Sequence, residues 1–356
     1  VEAEYLLACI HFLKSAGYKK NFSLKKFIDD YNVALNFKKT CIDKIKPSII
    51  FVSMPSIELA YQAVVFAKKN RIPIYVEIRD LWPDIFYDFS PKYLRPFIVF
   101  VYLYYNSKLK YILKNCDGVI GITKSYLEWA LKKMNRKKLI NDRVFRMAYQ
   151  PNNNKVILEN KNFFLKKNNI VLDKDSLVVT FIGTIGKSND LRTVAQAASH
   201  FSKKNLSIIF IIAGSGSELK SLKDKCKNIK NIFFTNWIEA DEINTLLSIS
   251  DIGLLPYFDS KNYKLNIPNK PSEYMSQGLI LALSLEYGEM AQLINNKKIG
   301  FTYSNNYRNL VEHLELFFNN KTLVSQTKLR SLNEFNKNYR SDKVYNDLID
   351  FLENRI

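Results

Sequence analysis

A chain of 356 residues, 47% of them apolar, is longer than one ordinary core serves and too apolar to stay disordered, so two packed domains are expected. Its 53 basic residues against 34 acidic ones give a formal charge of +19, which favours anionic partners. Most of the excess is lysine scattered among asparagine and isoleucine, with no arginine-rich run, no RNP-type motif and no helix of clustered basic residues, so a nucleic-acid partner is not expected.

Cys9, Cys41, Cys116 and Cys226 form no C-x-x-C pair, and His11, His200 and His313 stand apart. This excludes a zinc-finger pattern and a disulfide framework and points to a reducing compartment. The chain opens Val-Glu-Ala-Glu, without an initiator Met or the basic and apolar regions of a signal peptide, and is expected to be a fragment of a longer one.

In chain order, apolar runs rich in Val, Ile and Phe predict strands at Ser48–Val52, Ile74–Ile78, Gly118–Ile122 and Val144–Met147. Ile57, Ala60, Tyr61, Val64 and Val65 form a helical stripe between the first two. Tyr93–Leu113 mixes aromatics, aliphatics and basic residues; Phe97–Leu103 is assigned to the core and the Lys- and Tyr-rich end to an anionic membrane surface. Its apolar run Phe97–Tyr105 is about half the roughly 20 residues that cross a bilayer.

The pattern lapses over residues 151–176, read as a linker, after a first domain of 1–150. Strands resume at Leu177–Ile182, Ser207–Ala213, Ile232–Phe234 and Ile252–Pro256, with a helix around Ile243 after an Asp241 cap, giving a second domain of 177–335. A final helix, 336–356, carries Tyr345, Leu348, Ile349 and Leu352 on one face. The fold class is α/β, two doubly wound parallel-sheet domains, and in such sheets ligands bind beyond the carboxyl ends of strands, here in a crevice between the domains.

Several turns follow strands. Gly183-Thr184-Ile185-Gly186-Lys187-Ser188 lets backbone approach a phosphate near a helix start, with Lys187 adding charge, or is an ordinary βα turn. Gly214-Ser215-Gly216 repeats the pattern and is equally a tight turn. In Asn269-Lys270-Pro271-Ser272-Glu273, Pro271 fits the first helical position and places Glu273 in the first turn. There the carboxylate is suited to a ribose diol and Lys270 to a diphosphate; a capped surface helix is the alternative. Tyr287-Gly288-Glu289 opens another helix whose backbone donors suit a phosphate or a sugar hydroxyl. Arg79-Asp80 ends the strand Ile74–Ile78 at its carboxyl end, either as site residues or as a structural pair. Asp173-Lys174-Asp175 has a D-x-D form but precedes a strand and is read as a surface run.

The stretches IRDLWPDIF, FIGTIGKSNDL, IIAGSGSELKSL, TNWIEADEINTLLSISDIGLLPY and IPNKPSEYMSQG occur together in an order that resembles the family 4 retaining glycosyltransferases of the GT-B fold, above all the bacterial subgroup of O-antigen and capsule assembly. The resemblance implies an N-terminal acceptor domain, a C-terminal domain for a nucleoside-diphosphate sugar, packing of the last helix back on the first domain, and chemistry without a metal or other cofactor. Glu273 matches the second Glu of the family's E-x7-E motif, which binds the ribose; Leu265 stands where the first would fall. The family's diphosphate-binding Arg and Lys are not in their standard places, and Lys187 and Lys270 are assigned as substitutes. Trp237-Ile238 matches the loop that reads the base and Tyr287-Gly288-Glu289 the loop at the donor sugar, while Asp80 is assigned to an acceptor hydroxyl and Arg79 to a phosphate. The family's opening strand and glycine-rich loop have no counterpart here. The expected activity is retaining transfer from a UDP-sugar to a lipid-linked saccharide, in the cytoplasm on the inner face of the plasma membrane. A non-catalytic partner subunit and a nucleotide-sugar 2-epimerase are the alternatives.

Overall fold

The computed structural model describes residues 12–18, 24–40, 47–88, 90–151 and 156–355. They divide into two compact units: one runs to Phe145 and takes up the chain again from Ile349, and the other is Arg146–Leu348.

The first unit is built on a parallel sheet of β1 (Ile50–Met54), β2 (Ile74–Ile78), β3 (Gly118–Gly121) and β4 (Arg143–Val144), in that spatial order. β2 aligns Ile74 with Ile50 on one side and Tyr75 with Gly118 on the other, and Ile74, Tyr75, Val76 and Ile78 are all buried, as a strand covered on both faces requires. The helix Ile57–Asn70 turns Ile57, Ala60, Ala63, Val64 and Ala67 inward and ends where Arg71 takes the left-handed conformation. The fourth strand is shorter than the expected Val144–Met147. At the chain's end Phe351 packs edge-on against Tyr75 and tilted against Phe145, within this unit.

The helix Arg95–Asn115 corrects an expectation. It buries Leu109, Ile112 and Leu113 near its end, whereas Phe97, Phe100 and Leu103, assigned above to the core, are 75%, 73% and 53% exposed. The stretch is apolar nearly all round, so periodicity does not reveal which turns have neighbours. Near the buried end, Lys108 donates to both carboxylate oxygens of the buried Glu58 (2.8 and 2.6 Å).

The second unit holds a parallel six-stranded sheet of β5 (Leu177–Ile182), β6 (Ile208–Ala213), β7 (Ile232–Asn236), β8 (Ile252–Leu255), β9 (Ile280–Leu283) and β10 (Gly300–Thr302). The spatial order is β10-β9-β8-β5-β6-β7, so the winding reverses between β5 and β8. That reversal is the topological switch point, where a crevice opens beyond the strand ends of such a sheet. β5, β6, β8 and β9 are buried along their whole length.

Three local expectations change in this unit. Residues 151–176 hold the helix Leu158–Lys167, whose Phe164 is buried in the core. Asp241 lies within the helix Ala240–Ser248, whose cap position is Glu239. Asp173 and Asp175 have local partners: Asp173 accepts from the Ser207 hydroxyl (3.0 Å) and Asp175 lies 3.7 Å from Lys321.

Candidate functional site

The loops leaving β5 and β6 are joined backbone to backbone. Ile182 pairs with Ala213 at the strand ends, the Gly183 N–H donates to Ala213 (2.9 Å) and the Ile185 N–H to Ser215 (2.8 Å). The approach is so close that a Cβ on Gly214, at φ 137°, would fall 1.8 Å from the Gly183 carbonyl oxygen. Only glycine satisfies both that φ and that contact. Thr184 is exposed at the tip of the turn, and its carbonyl accepts from the Asn189 side chain (3.0 Å).

The helix start beyond this turn is not open as the sequence suggested. Asp190 caps the helix Leu191–Lys204, accepting from the Thr193 N–H (3.3 Å) and hydroxyl (2.7 Å). An acid at that position already answers the free N–H groups an anion would use. Exposed Lys187 instead lines a cavity of about 320 Å³ with Gly186, Arg192, Glu218 and Lys225.

On the other side of the switch point lies the helix Asn269–Ser276, placed by Tyr274. The Tyr274 ring lies so close over β8 that a Cβ on Gly253 would be 2.2 Å from it, and its hydroxyl accepts the Ile182 N–H of β5 (2.9 Å). The helix begins two residues earlier than expected, with Pro268 at the cap position, so Pro271 is its third residue and Glu273 lies beyond the first turn. Proline is tolerated anywhere in the first turn, where its missing N–H has no intrahelical partner, so it does not mark one position.

Lys270 and Glu273, three residues apart, share a helix face. The Lys270 ammonium lies 3.2 Å from where a Cβ on Gly183 would stand, directly at the β5 turn. Burial pushes the Lys270 pKa down, opposed by the Glu273 charge, and pushes the Glu273 pKa up, opposed by Lys270 and Tyr149. The Tyr149 hydroxyl is 3.5 Å from the Glu273 carboxylate, and the phenol pKa is pushed up to about 12 by burial first and by Glu273 second. Tyr149 is anchored through its backbone, its N–H donating to Tyr339 (2.9 Å) and its carbonyl accepting from Ser341 (3.2 Å). Nothing in the local sequence pointed to Tyr149 or Tyr274; Tyr149 is 124 positions from Glu273.

The remaining assigned residues divide. Asn269 is exposed at the helix start, and Ser272 is buried, its hydroxyl without a partner among the described residues. Trp237 is exposed beyond β7, its indole N–H donating to Glu239 (3.2 Å), while the Ile238 side chain is buried in the core, leaving only its backbone for recognition. Tyr287 is exposed beside a cavity of about 210 Å³ that Asp259, Lys264, Glu286 and Asn305 also line. Gly288, at φ 113°, caps the helix Glu289–Lys297, and Leu265 ends the short helix Lys261–Leu265.

In the first unit, Arg79 and Asp80 do not pair with each other. Exposed Arg79 leans toward Glu77 (3.8 Å), and Asp80 accepts the N–H of Leu81 (3.0 Å) while burial raises its pKa.

The family model described as Glycosyl transferases group 1 matches residues 162–340, just over half of the chain. Among solved structures, the chain is similar to Anabaena HepE in complex with UDP (10% identity, TM-score 0.69, covering 90% of this chain and 82% of that one). It is also similar to sucrose-phosphate synthase from Thermosynechococcus elongatus (12%, TM-score 0.72, 96% and 82%). A third is WaaG, a glycosyltransferase involved in lipopolysaccharide biosynthesis (12%, TM-score 0.56, 78% of each). At these identities the likeness concerns the fold: two parallel-sheet α/β domains of the GT-B kind. No curated protein sequence matches the chain. With the model covering the sheet that carries Gly183, Lys270 and Glu273, the chain belongs to the group 1 glycosyl transferases.

Proposed function

We propose that the protein transfers a hexose or aminohexose, with retention, from a UDP-sugar to a lipid-linked saccharide in surface-polysaccharide assembly, working on the inner face of the plasma membrane. The observation that carries the donor assignment is the Lys270 ammonium at the Gly183 turn, with Glu273 further along the same helix, at the switch point of the sheet. A diphosphate resting on that turn meets a partly dehydrated cation, and the carboxylate accepts hydrogen bonds from a ribose diol. Binding also relieves both groups: Lys270 gains an anionic partner besides Glu273, and Glu273 gains donors in place of lost water.

In the reaction, the bond from the sugar's anomeric carbon to the diphosphate breaks and one to the acceptor oxygen forms on the same face, the acceptor proton passing to the departing diphosphate. The protein's part is to stabilise the charge that grows on the leaving group, and Lys270 is placed for it. Retention and the acceptor class follow from the resemblance to family 4 enzymes; UDP and surface polysaccharide are supported by HepE bound to UDP and WaaG in lipopolysaccharide biosynthesis.

The test is UDP release from a UDP-sugar by purified protein. Transfer predicts slow release that accelerates when lipid-linked saccharide is added and falls sharply in Lys270→Ala. A second reading, a non-catalytic partner subunit, is favoured by Leu265 in place of the family's first Glu; it predicts UDP binding without release.

A further inference from the structure

The helix Arg95–Asn115 has two apolar faces. Leu109, Ile112 and Leu113 face the core of the first unit. At about 100° per residue, Phe97, Phe100, Leu103 and Tyr104 fall on the opposite arc, and all four are exposed. Tyr93 and Leu94, in the 3-10 turn Lys92–Leu94 just before the helix, extend the exposed apolar surface. A cluster of large side chains of this kind on one face marks an interaction surface rather than ordinary surface scatter.

The charge around this face has one sign. No Asp or Glu occurs between Asp88 and Asp117, and exposed Lys110 and Lys114 lie along the edge of the same arc toward the end of the helix. Lys108 does not contribute, because its ammonium is held by Glu58. The helix therefore runs from an aromatic and aliphatic half to a basic half on the outward side. No helix among the described residues is long and apolar enough to cross a membrane.

We propose that this face docks the protein on an anionic lipid surface, the helix lying in the interface plane with Phe97, Phe100 and Leu103 inserted and Lys110 and Lys114 against the headgroups. A second copy of the chain fits less well: it presents the same acid-free surface and offers the lysines nothing to pair with. Docking of this kind brings the protein to a lipid-linked acceptor and in that sense rests on the proposed function. Vesicle binding is measured with neither donor nor acceptor, so it can fail while UDP release succeeds, and the reverse.

The experiment is cosedimentation of the full chain with vesicles of phosphatidylcholine alone and of phosphatidylcholine mixed with phosphatidylglycerol. The wild type is expected to bind the anionic vesicles, more weakly at high salt, and several-fold less to the neutral ones. The triple variant Phe97→Ser, Phe100→Ser, Leu103→Ser is expected to lose about tenfold or more of that binding with its cooperative thermal unfolding intact, since all three side chains are exposed. Lys110→Glu with Lys114→Glu is expected to lose binding to anionic vesicles alone. Failure of the wild type to bind anionic vesicles, or undiminished binding by the triple variant, overturns the proposal. A wild-type dimer that the triple variant dissolves, with no vesicle binding, assigns the face to a second copy instead.

Discussion

The Tyr149 hydroxyl stands 3.5 Å from the Glu273 carboxylate, and Glu273 is on the helix whose Lys270 reaches the Gly183 turn. Tyr149 and Lys270 both hold the Glu273 pKa below where burial alone would put it. Tyr149→Phe is therefore expected to raise that pKa further and to weaken UDP binding a few-fold. The loss is greatest at the acidic end of the pH range, where the variant carboxylate protonates first. Calorimetric UDP titration across pH checks this; a uniform loss at all pH values would mean that Tyr149 acts on packing alone.

The two charged groups act against the stability of the free protein. Glu273 has a folded pKa above its unfolded one, so stability falls as pH rises from the unfolded value through the folded one; Lys270 has a folded pKa below its unfolded one, so stability falls as pH drops through that interval. Burial disfavours the charged form of each. Glu273→Gln and Lys270→Met are each expected to raise the stability of the unliganded protein by about 0.5–2 kcal/mol while reducing its thermal stabilisation by UDP. Thermal melts with and without UDP measure both effects.

Gly214→Ala places a methyl group where the Gly183 carbonyl oxygen lies, on a backbone with φ 137°. It is expected to cost roughly 1–3 kcal/mol and to part the two loops, so that UDP stabilisation falls together with stability. Urea unfolding gives the first quantity and a UDP titration the second. An unchanged midpoint would mean that the loops are free to separate.

Tyr274→Phe leaves the buried Ile182 N–H without its acceptor, which costs about 1–3 kcal/mol. Because that hydrogen bond joins the helix of Lys270 and Glu273 to β5, UDP affinity is expected to fall as well. Urea unfolding and calorimetry report the two losses separately.

Much of this architecture was legible because buried parallel strands leave a plain signal. Leu177–Ile182 is apolar apart from Thr180 and has the bounds the sequence suggested. The turns after β5 and β6 were equally visible, since Gly183 and Gly214 follow directly on their strands. What failed was what composition leaves ambiguous. Phe97–Leu103 reads the same whether it faces a core or the outside, and Pro271 fits any position of a first helical turn. Asp190 was readable as a cap, yet the glycines before it drew attention to an anion instead. Tyr149 was invisible because its role depends on a contact across 124 positions of chain.

The most direct measurement is calorimetric titration of UDP into the wild type, Glu273→Ala and Lys270→Ala. The account predicts saturable binding to the wild type and a loss of about tenfold or more in each variant, as expected when a charged hydrogen-bonding partner is removed. Equal affinity in all three proteins would contradict it, because the ribose and the diphosphate would then be held somewhere other than the Gly183 turn and the helix beside it.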